Sequence, residues 1–480
     1  MSEPMIIQGG MGAGVSDWRL ARAVSQAGQL GVVSSTALDN ILARRLLDGD
    51  LDGSMRRALE AFPERLIADR ILARYFIPGG KAKGAAYKPV PLYSLQPPRE
   101  LEELTLAANF CEVFLAKEGH RGLVGINLLE KVQMPTLPSL YGAMLAGVDY
   151  VMMGAGIPRA IPALLDQLAR HEAVALRINV QGEGEDDEHW MRFDPWEFMS
   201  QIPETLKRPK FLAVVASEVL AMTLAKKSNG KVDGFVVEGP LAGGHNAPPR
   251  GALKLNEKGE PVYGTRDEVN LEGIRGLGLP FWVAGAWGRP DKLKEALAKG
   301  AAGIQVGTLF AYCRESGLTE NLKQWVVDKV LKGKIEVFTD PKASPTGFPF
   351  KVVKLEGTHS EKEDYEARTK VCDLGYLRQV FKRWNGTIGY RCPGEPEEVF
   401  LQKEGDPAEI EGRKCLCNGL MANIGLAQMR KDGGAEKPLV TSGDDIARIR
   451  MFVGQGKRSY GAQDVIRYLL GEMGGGLNPA

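Results

Sequence analysis

The sequence has no excess of charge of either sign. Its 480 residues include 61 Lys and Arg against 60 Asp and Glu, so the formal net charge at pH 7 is +1. A chain with this balance lacks the broad basic face through which proteins bind the phosphates of nucleic acid. We therefore expect a small-molecule partner and no nucleic acid.

Long hydrophobic runs are also missing. The longest mostly apolar stretch, residues 211–225, is too short to cross a bilayer and contains Glu218. The first residues lead directly into a short apolar run, without the basic segment and longer apolar core of a secretory signal. These absences predict a cytoplasmic protein that has no membrane partner.

The chain contains neither of the two common nucleotide-binding loops. No Lys-containing Walker loop occurs. Residues 8–14 form a glycine-rich turn after an apolar strand, but Val15 stands at the third glycine position of a dinucleotide-binding fingerprint. The helix after this turn, residues 17–26, is predicted to begin with Ser16 as its N-cap. A Rossmann domain is therefore disfavoured.

Apolar and helical segments alternate through the first two thirds of the chain. Eight segments are predicted to be buried strands: residues 5–7, 31–35, 122–127, 150–153, 211–215, 235–237, 281–284 and 303–306. Eight strands that alternate with helices favour a closed (β/α)8 TIM barrel, an α/β fold, over an open sheet. We predict a barrel over residues 1–330 and a C-terminal accessory region over residues 331–480 that packs on the barrel.

Two insertions interrupt the alternation, at about residues 40–100 and 174–200. The first has predicted helices followed by a loop over residues 78–98 that is rich in Gly, Lys and Pro. A loop of this length is interpreted either as a lid over a site or as a surface insertion. The second insertion is predicted to be a β-hairpin.

The segment after the sixth predicted strand contains residues that could bind a ligand and transfer a proton. Gly243 and Gly244 follow this strand, and their missing side chains would let a ligand approach the backbone closely. His245 comes next, at the carboxyl end of a buried parallel strand, where barrels place their catalytic groups. Its ordinary pKa of about 6.5 suits a base or an acid at neutral pH, and a histidine held by the loop backbone is the structural alternative.

Other predicted strands end in residues that could hold a ligand. Asn127 ends the third strand, and its amide can donate and accept hydrogen bonds toward a heterocycle. Gly285 follows the seventh strand, and Gly307 and Thr308 follow the eighth. Loops at these two places commonly bind phosphate through backbone N–H groups. Each glycine alone is a weak signal, whereas their conjunction at strand ends is a strong one.

Three segments resemble the nitronate monooxygenase family, formerly called 2-nitropropane dioxygenases. They are residues 4–11 (PMIIQGGM), residues 242–245 (AGGH), and Ala284-Gly285 with residues 296–310 (ALAKGAAGIQVGTLF). The resemblance covers roughly residues 1–315 without the two insertions. It implies an FMN-dependent TIM barrel, in a wider family that includes flavin-dependent enoyl reductases and NAD(P)H:quinone reductases.

The resemblance also implies a role for each candidate residue. FMN would have its phosphate at Gly285, Gly307 and Thr308. Its ring would lie against the backbone of Gly10, Met11, Gly243 and Gly244, with Asn127 and Glu238 as polar contacts. His245 matches the family's active-site histidine, which serves as general base in the monooxygenases.

The implied reaction is the oxidation of alkyl nitronates by O2 to a carbonyl compound and nitrite. The alternative is an NAD(P)H-dependent flavin reductase that acts on quinones or enoyl thioesters, since FMN and His245 could serve either reaction. A third possibility is a flavin-binding sensor or scaffold without turnover. Leu241 stands where the family more usually has Glu, and Gly10 precedes Met11 where Pro is more usual.

The last third of the chain offers two further candidates. Residues 339–350 form a loop rich in Pro and Gly that carries Phe348 and Phe350, and it is interpreted either as a wall of the pocket or as a rigid connector on the barrel rim.

Four cysteines fall between positions 372 and 417, namely Cys372, Cys392, Cys415 and Cys417. Without a secretory signal they are expected to be reduced. They would suit zinc or an iron–sulfur cluster, or they are buried free thiols, and their spacing matches no standard pattern. No metal ligand is assigned from the sequence.

Overall fold

A computed structural model describes residues 3–184, 187–201, 204–431, 433–454 and 456–472. The ends of the two predicted regions, residues 1–2 and 473–480, lie outside the described residues, as do residues 185–186 of the second insertion. Within the described ranges, no helix is long and apolar enough to span a membrane.

Eight parallel strands form the centre of the molecule. They are β1 (Ile6–Gln8), β2 (Gly31–Ser34), β3 (Val124–Leu129), β4 (Tyr150–Gly154), β5 (Lys210–Val215), β6 (Gly234–Glu238), β7 (Phe281–Ala284) and β8 (Gly303–Val306). Neighbours in the sheet follow the order β1-β8-β7-β6-β5-β4-β3-β2. Each observed strand overlaps one predicted segment, so the eight predicted strands are confirmed.

The sheet closes on itself between β1 and β2. Gln8 N donates to Leu30 O at 3.0 Å, and Leu30 N donates to Ile6 O at 3.1 Å. The Gln8 side chain adds another link, because its Oε1 accepts from Val32 N at 3.0 Å. The strands therefore form the predicted (β/α)8 barrel and not an open sheet.

Side chains fill the barrel interior. The buried cluster there comprises Ile7, Leu30, Val32, Tyr150, Met152, Leu212, Val236, Trp282 and Ala284. Trp282 is fully buried, and its Nε1–H donates to Pro4 O at 2.7 Å, which satisfies the one polar group of the indole. Because this core is packed, space for a ligand remains at the strand ends.

Helices surround the barrel. Those that follow or precede barrel strands are Trp18–Gln26, Arg99–Lys117, Thr136–Leu145, Ile161–Ala169, Glu218–Lys227, Leu271–Arg275, Pro290–Ala298, Thr308–Ala311 and Glu320–Leu331. The first insertion adds Leu38–Leu47, Ser54–Glu60 and Arg65–Tyr75, and the second adds Pro195–Phe198. The apolar side chains of these helices cover the outer face of the parallel sheet, because a parallel sheet is buried on both faces.

The prediction that Ser16 caps the first helix is wrong. Asp17 is the N-cap, and its side chain accepts from Arg19 N and Leu20 N. The Ser16 hydroxyl instead donates to Gly9 O and accepts from Met11 N, both at 2.9 Å. Ser16 therefore holds the turn after β1 in place, and the carboxylate one residue later takes the capping role.

Both insertions have defined structures. In the second, Val174–Arg177 pairs antiparallel with Trp190–Phe193, which confirms the predicted hairpin. In the first, the loop over residues 78–98 is fixed at both sides. Tyr87 Oη donates to Asp48 Oδ2 at 2.7 Å, and Leu95 N donates to the Tyr390 hydroxyl at 2.8 Å. The loop thus connects the insertion to the accessory region.

The accessory region consists of two hairpins and short helices. Val337–Asp340 pairs with Phe350–Val353, and Gln379–Lys382 pairs with Ile388–Arg391. Its α-helices are Lys362–Glu366, Glu397–Gln402, Leu416–Asn423 and Ala462–Leu469, with 3-10 turns at Pro407–Glu409 and Asp444–Met451. Met421, Ile446 and Ile449 belong to the same hydrophobic cluster as the barrel helices, so the region packs on the barrel. The division into domains near residue 330 stays a prediction.

Candidate active site

A cavity opens at the carboxyl ends of the barrel strands. Its volume is about 1500 Å³, counted with its open mouth. All ten site residues predicted from the sequence line it: Gly10, Met11, Asn127, Glu238, Gly243, Gly244, His245, Gly285, Gly307 and Thr308. They come from the ends of five different strands, which the closed barrel brings to one place. The roles of these residues stay predictions.

The loop over residues 78–98 does not line this cavity, which favours its interpretation as a surface insertion and not as a lid.

His245 follows β6 and lies partly buried in the cavity wall. Its Nε2 is 2.7 Å from Ser344 Oγ, and its ring meets the edge of Phe350 with centroids 4.9 Å apart. Burial lowers the pKa of His245 to about 4, because apolar surroundings disfavour the imidazolium ion. The imidazole is therefore neutral at pH 7 and carries a lone pair that can accept a proton.

The partner of His245 belongs to the loop over residues 339–350. Ser344 Oγ also lies 2.8 Å from Thr346 Oγ1 and accepts from Thr346 N at 3.2 Å. Phe350 lines the cavity directly. Of the two interpretations of this loop, this contact favours the pocket wall. His245 is thus held by a side chain of the accessory region rather than by its own loop backbone.

Glu238 ends β6 and also faces the cavity. Burial raises the pKa of Glu238 to about 7, because desolvation disfavours the carboxylate. Near neutral pH the carboxyl group is divided between its protonated and ionised forms, so it can donate or accept a hydrogen bond. A titratable group perturbed in this way within a cleft is typical of a functional site.

The glycines of the cavity serve different purposes. A Cβ added to Gly10 would lie 2.3 Å from Asn127 Cβ, and one added to Gly243 would lie 2.8 Å from Gly443 N. These two glycines let parts of the protein pack closely on each other. Gly244 has φ +79°, and an added Cβ there would have no atom within 4 Å. Only Gly244 among these three borders open space where a ligand could approach the backbone.

The predicted phosphate end of the cavity contains groups from the accessory region. Thr308 Oγ1 accepts from Gly443 N at 3.1 Å, and the Thr308 side chain also hydrogen-bonds Asp445. Burial raises the pKa of Asp445, which lines the cavity too. An ionised Asp445 would repel a phosphate, whereas a protonated one could donate a hydrogen bond to it.

Two amide side chains in the cavity wall were missed by sequence reasoning. Gln305 Oε1 and Asn423 Oδ1 are buried and have no hydrogen-bond partner among the residues that the structure describes. An unsatisfied buried acceptor is costly, so both atoms fit a ligand that offers N–H or O–H donors. Gln305 could have been found as the polar residue within apolar β8. Asn423 gives no local signal, since only the docking of its helix brings it to the cavity.

Comparison with known proteins supports the family resemblance. A model of the nitronate monooxygenase family matches residues 202–345, the part of the chain that carries His245, Gly285 and Gly307. The match confirms the resemblance over that segment and identifies an oxidoreductase enzyme. Among curated proteins, no sequence matches this chain significantly.

Several solved structures resemble the chain over most of its length. FabK from Thermotoga maritima is 17% identical, with 98% of this chain and 93% of that chain covered and a TM-score of 0.47. A nitroalkane oxidase from Streptomyces ansochromogenes is 14% identical, with 98% and 96% covered and a TM-score of 0.49. The enoyl reductase domain of MlnA from Bacillus amyloliquefaciens is 12% identical, with 98% and 94% covered and a TM-score of 0.45. The barrel itself is identified by the strand order and closure of this chain.

Proposed function

We propose that the protein is an FMN-dependent oxidoreductase that oxidises alkyl nitronates with O2 to a carbonyl compound and nitrite. The observation that carries the proposal is the cavity in which a neutral His245, a protonatable Glu238 and the glycines after β7 and β8 meet. Bound FMN would supply the redox chemistry by accepting electrons from the substrate. The chain's own residues bind, orient and exchange protons.

The cavity residues fit a flavin. A flavin ring presents both N–H and carbonyl groups at the edge of a flat heterocycle. Gln305 Oε1 and Asn423 Oδ1, which have no partner in the described part of the chain, would accept from the ring N–H and from a ribityl hydroxyl of FMN, and Asn127 could donate to a ring carbonyl. Gly285, Gly307 and Thr308 would hold the phosphate with Asp445 in its protonated form.

His245 would act as the base for neutral nitroalkanes. In the proposed arrangement Nε2–H donates to Ser344 Oγ, and the Ser344 hydroxyl donates to Thr346 Oγ1. Nδ1 then keeps the lone pair that removes the α-proton of the substrate. Phe350 covers the ring and limits its contact with water, which keeps the imidazole neutral before the reaction.

Anaerobic mixing tests the reaction class. The full chain, purified and loaded with FMN, is mixed without oxygen either with a preformed nitronate or with NAD(P)H, and the flavin absorbance is followed. The proposal expects nitronate to bleach the flavin and O2 to restore it with release of nitrite. A protein that binds no flavin on reconstitution, or a flavin that nitronate leaves oxidised, contradicts it.

The NAD(P)H-dependent reductase is the second candidate, and one observation favours it. A neighbouring cavity shares Leu241, Ala284 and Gly285 with the first, and Arg275 and Lys299 line it. This second cavity, whose lining also includes Asp267, Glu268 and Glu272, could receive a dinucleotide beside the flavin, with Arg275 and Lys299 as partners for its phosphates. Bleaching by NAD(P)H but not by nitronate would make this reductase the function.

A further inference from the structure

Four cysteines of the accessory region meet at one small cavity. Cys372, Cys392, Cys415 and Cys417 all line one space, which measures about 290 Å³ when its open mouth is counted. They come from separate elements: an irregular segment, the residue after the strand Ile388–Arg391, and the first turn of the helix Leu416–Asn423. All four are free thiols. Chance packing of small apolar side chains gives no reason for four thiols to share one cavity.

Basic side chains lie near these thiols. Arg368 interacts electrostatically with Cys415, and Arg378 and Lys403 interact with Cys372. The Arg368 side chain is only 3% exposed, and its Nη1 has no hydrogen-bond partner among the described residues. Glu436 pairs with the other nitrogens of this guanidinium and leaves Nη1 without an acceptor among the described residues. Thiolates that bind a metal, or sulfides bound to that metal, would give this donor its missing acceptor.

A hydrogen-bond network holds these groups in place. Glu436 is buried and accepts from His359 Nε2 at 2.6 Å and from Arg368 Nη2 at 3.2 Å. Asn418 Nδ2 donates to Asp373 Oδ1 at 2.6 Å and lies 3.5 Å from Cys415 Sγ. Such outer partners fix the orientation of ligands around metal centres. Cys415 is also the N-cap of its helix, where the helix dipole stabilises negative charge.

We propose that Cys372, Cys392, Cys415 and Cys417 ligate an iron–sulfur cluster as thiolates. Within the described part of the chain, no three His, Cys, Asp or Glu side chains are placed to hold a single metal ion. A tetrahedral Zn²⁺ with Zn–S bonds of about 2.3 Å would need its four sulfurs only ~3.8 Å apart. All four cysteines line one space, where the iron and sulfide of a larger cluster would lie.

The cluster site is separate from the flavin cavity but adjoins its wall. Pro345 lines the cysteine cavity, and the preceding residue, Ser344, hydrogen-bonds His245. Lys414, next to Cys415, donates its N–H to Ala343 O at 2.8 Å. A cluster here would therefore hold the segment that carries the partner of His245.

Metal analysis of the full chain tests the proposal. The protein is purified without oxygen, or reconstituted with Fe²⁺ and sulfide, and its iron, zinc and acid-labile sulfide are measured. The proposal expects about two or four iron atoms and as much sulfide per chain, and an electron paramagnetic resonance signal after reduction with dithionite. These readouts do not depend on flavin binding or on activity with nitronates.

Two variants and one control identify the ligands. Cys415→Ser and Cys392→Ser should each lose most of the iron and sulfide, whereas Cys111→Ser, a buried cysteine in the helix Arg99–Lys117, should keep them. If a ligand variant does not fold, the metal content of the unmodified chain still decides. About one zinc per chain without iron, no metal after reconstitution, or iron that both ligand variants retain would each overturn the proposal.

Discussion

Replacing His245 by Asn separates a catalytic histidine from a structural one. Asn keeps a polar side chain, but its amide does not extend as far as Nε2, the atom that lies 2.7 Å from Ser344 Oγ, and it cannot accept a proton at neutral pH. A positioned side chain that transfers a proton typically contributes about 10²–10⁴ in rate. A histidine that only packs would cost stability when replaced and leave the chemistry of the folded protein nearly intact.

The low pKa of His245 narrows the loss of kcat/KM that is expected for His245→Asn. The pKa of His245 falls to about 4 through burial, compared with about 6.5 for an ordinary histidine, so forming the imidazolium costs about 3 kcal/mol more than usual. That cost reduces the driving force for removing a proton from the substrate. We therefore expect His245→Asn to lose about 10²-fold in kcat/KM with a neutral nitroalkane, the lower end of the general range.

The assay compares two substrates. Initial rates are measured with a neutral nitroalkane, whose α-proton must be removed, and with its preformed nitronate, which needs no such step. Flavin occupancy is checked by absorbance, and His120→Asn, whose imidazole bonds Ala116 O outside the cavity, is the control. The loss should be large with the nitroalkane and smaller with the nitronate.

Two outcomes would refute this reasoning. Equal losses on both substrates would mean that His245 binds the nitro group electrostatically and is not the base. Unchanged rates on both, with flavin still bound, would mean that the histidine is structural.

The remaining predictions concern the surroundings of His245 and of the phosphate. The pKa of His245 is lower in the folded than in the unfolded state, so the stability that this residue contributes is fully present above about pH 6.5 and is lost as the pH falls toward about 4. Between these pH values, the Tm of His245→Asn should therefore decrease less steeply with falling pH than the Tm of the unmodified protein. Parallel curves of Tm against pH would contradict this. Ser344→Ala should lower kcat with a nitroalkane by ~fivefold without loss of flavin, because one hydrogen bond contributes about 1 kcal/mol. An unchanged kcat would show that Ser344 does not position His245. Asp445→Ala should weaken FMN binding by about 1 kcal/mol, because the protonated carboxyl would lose its one hydrogen bond to the phosphate, and tighter binding in titration calorimetry would show that the carboxyl is instead ionised and repels the phosphate. Gly10→Ala should destabilise the protein by ~1–3 kcal/mol in chemical denaturation because its Cβ overlaps a neighbouring side chain, whereas Gly264→Ala, which meets no atom within 4 Å, should be nearly neutral.

The barrel could be predicted because its signals are local. Each strand is a short apolar run bounded by glycine or a polar residue, and eight such runs alternate with helices. In a barrel of parallel strands, the carboxyl ends of all strands lie at the same rim. This is why Asn127 and His245, which are far apart in sequence, could be assigned to one cavity.

Local sequence patterns did not predict the role of a side chain that forms its contacts with residues outside its own helix or strand. Ser16 is a good N-cap by residue type, but its hydroxyl holds the turn at Gly9 and Met11, and Asp17 takes the capping role. The contributions of Asn423 and Asp445 depend on how the accessory region docks on the barrel. No periodicity or spacing in the sequence encodes that docking.

The accessory region therefore controls the chemistry of the barrel site as well as its shape. The barrel supplies His245, but Ser344 orients its ring and Phe350 covers it. The low pKa of His245 results from burial, and the accessory loop over residues 339–350 supplies part of that burial. A movement of this loop that admitted substrate would also admit water and raise the pKa of His245 toward its ordinary value. Such a movement would couple access to the cavity with the basicity of His245, and closure over a bound substrate would restore the apolar surroundings in which the imidazole starts neutral.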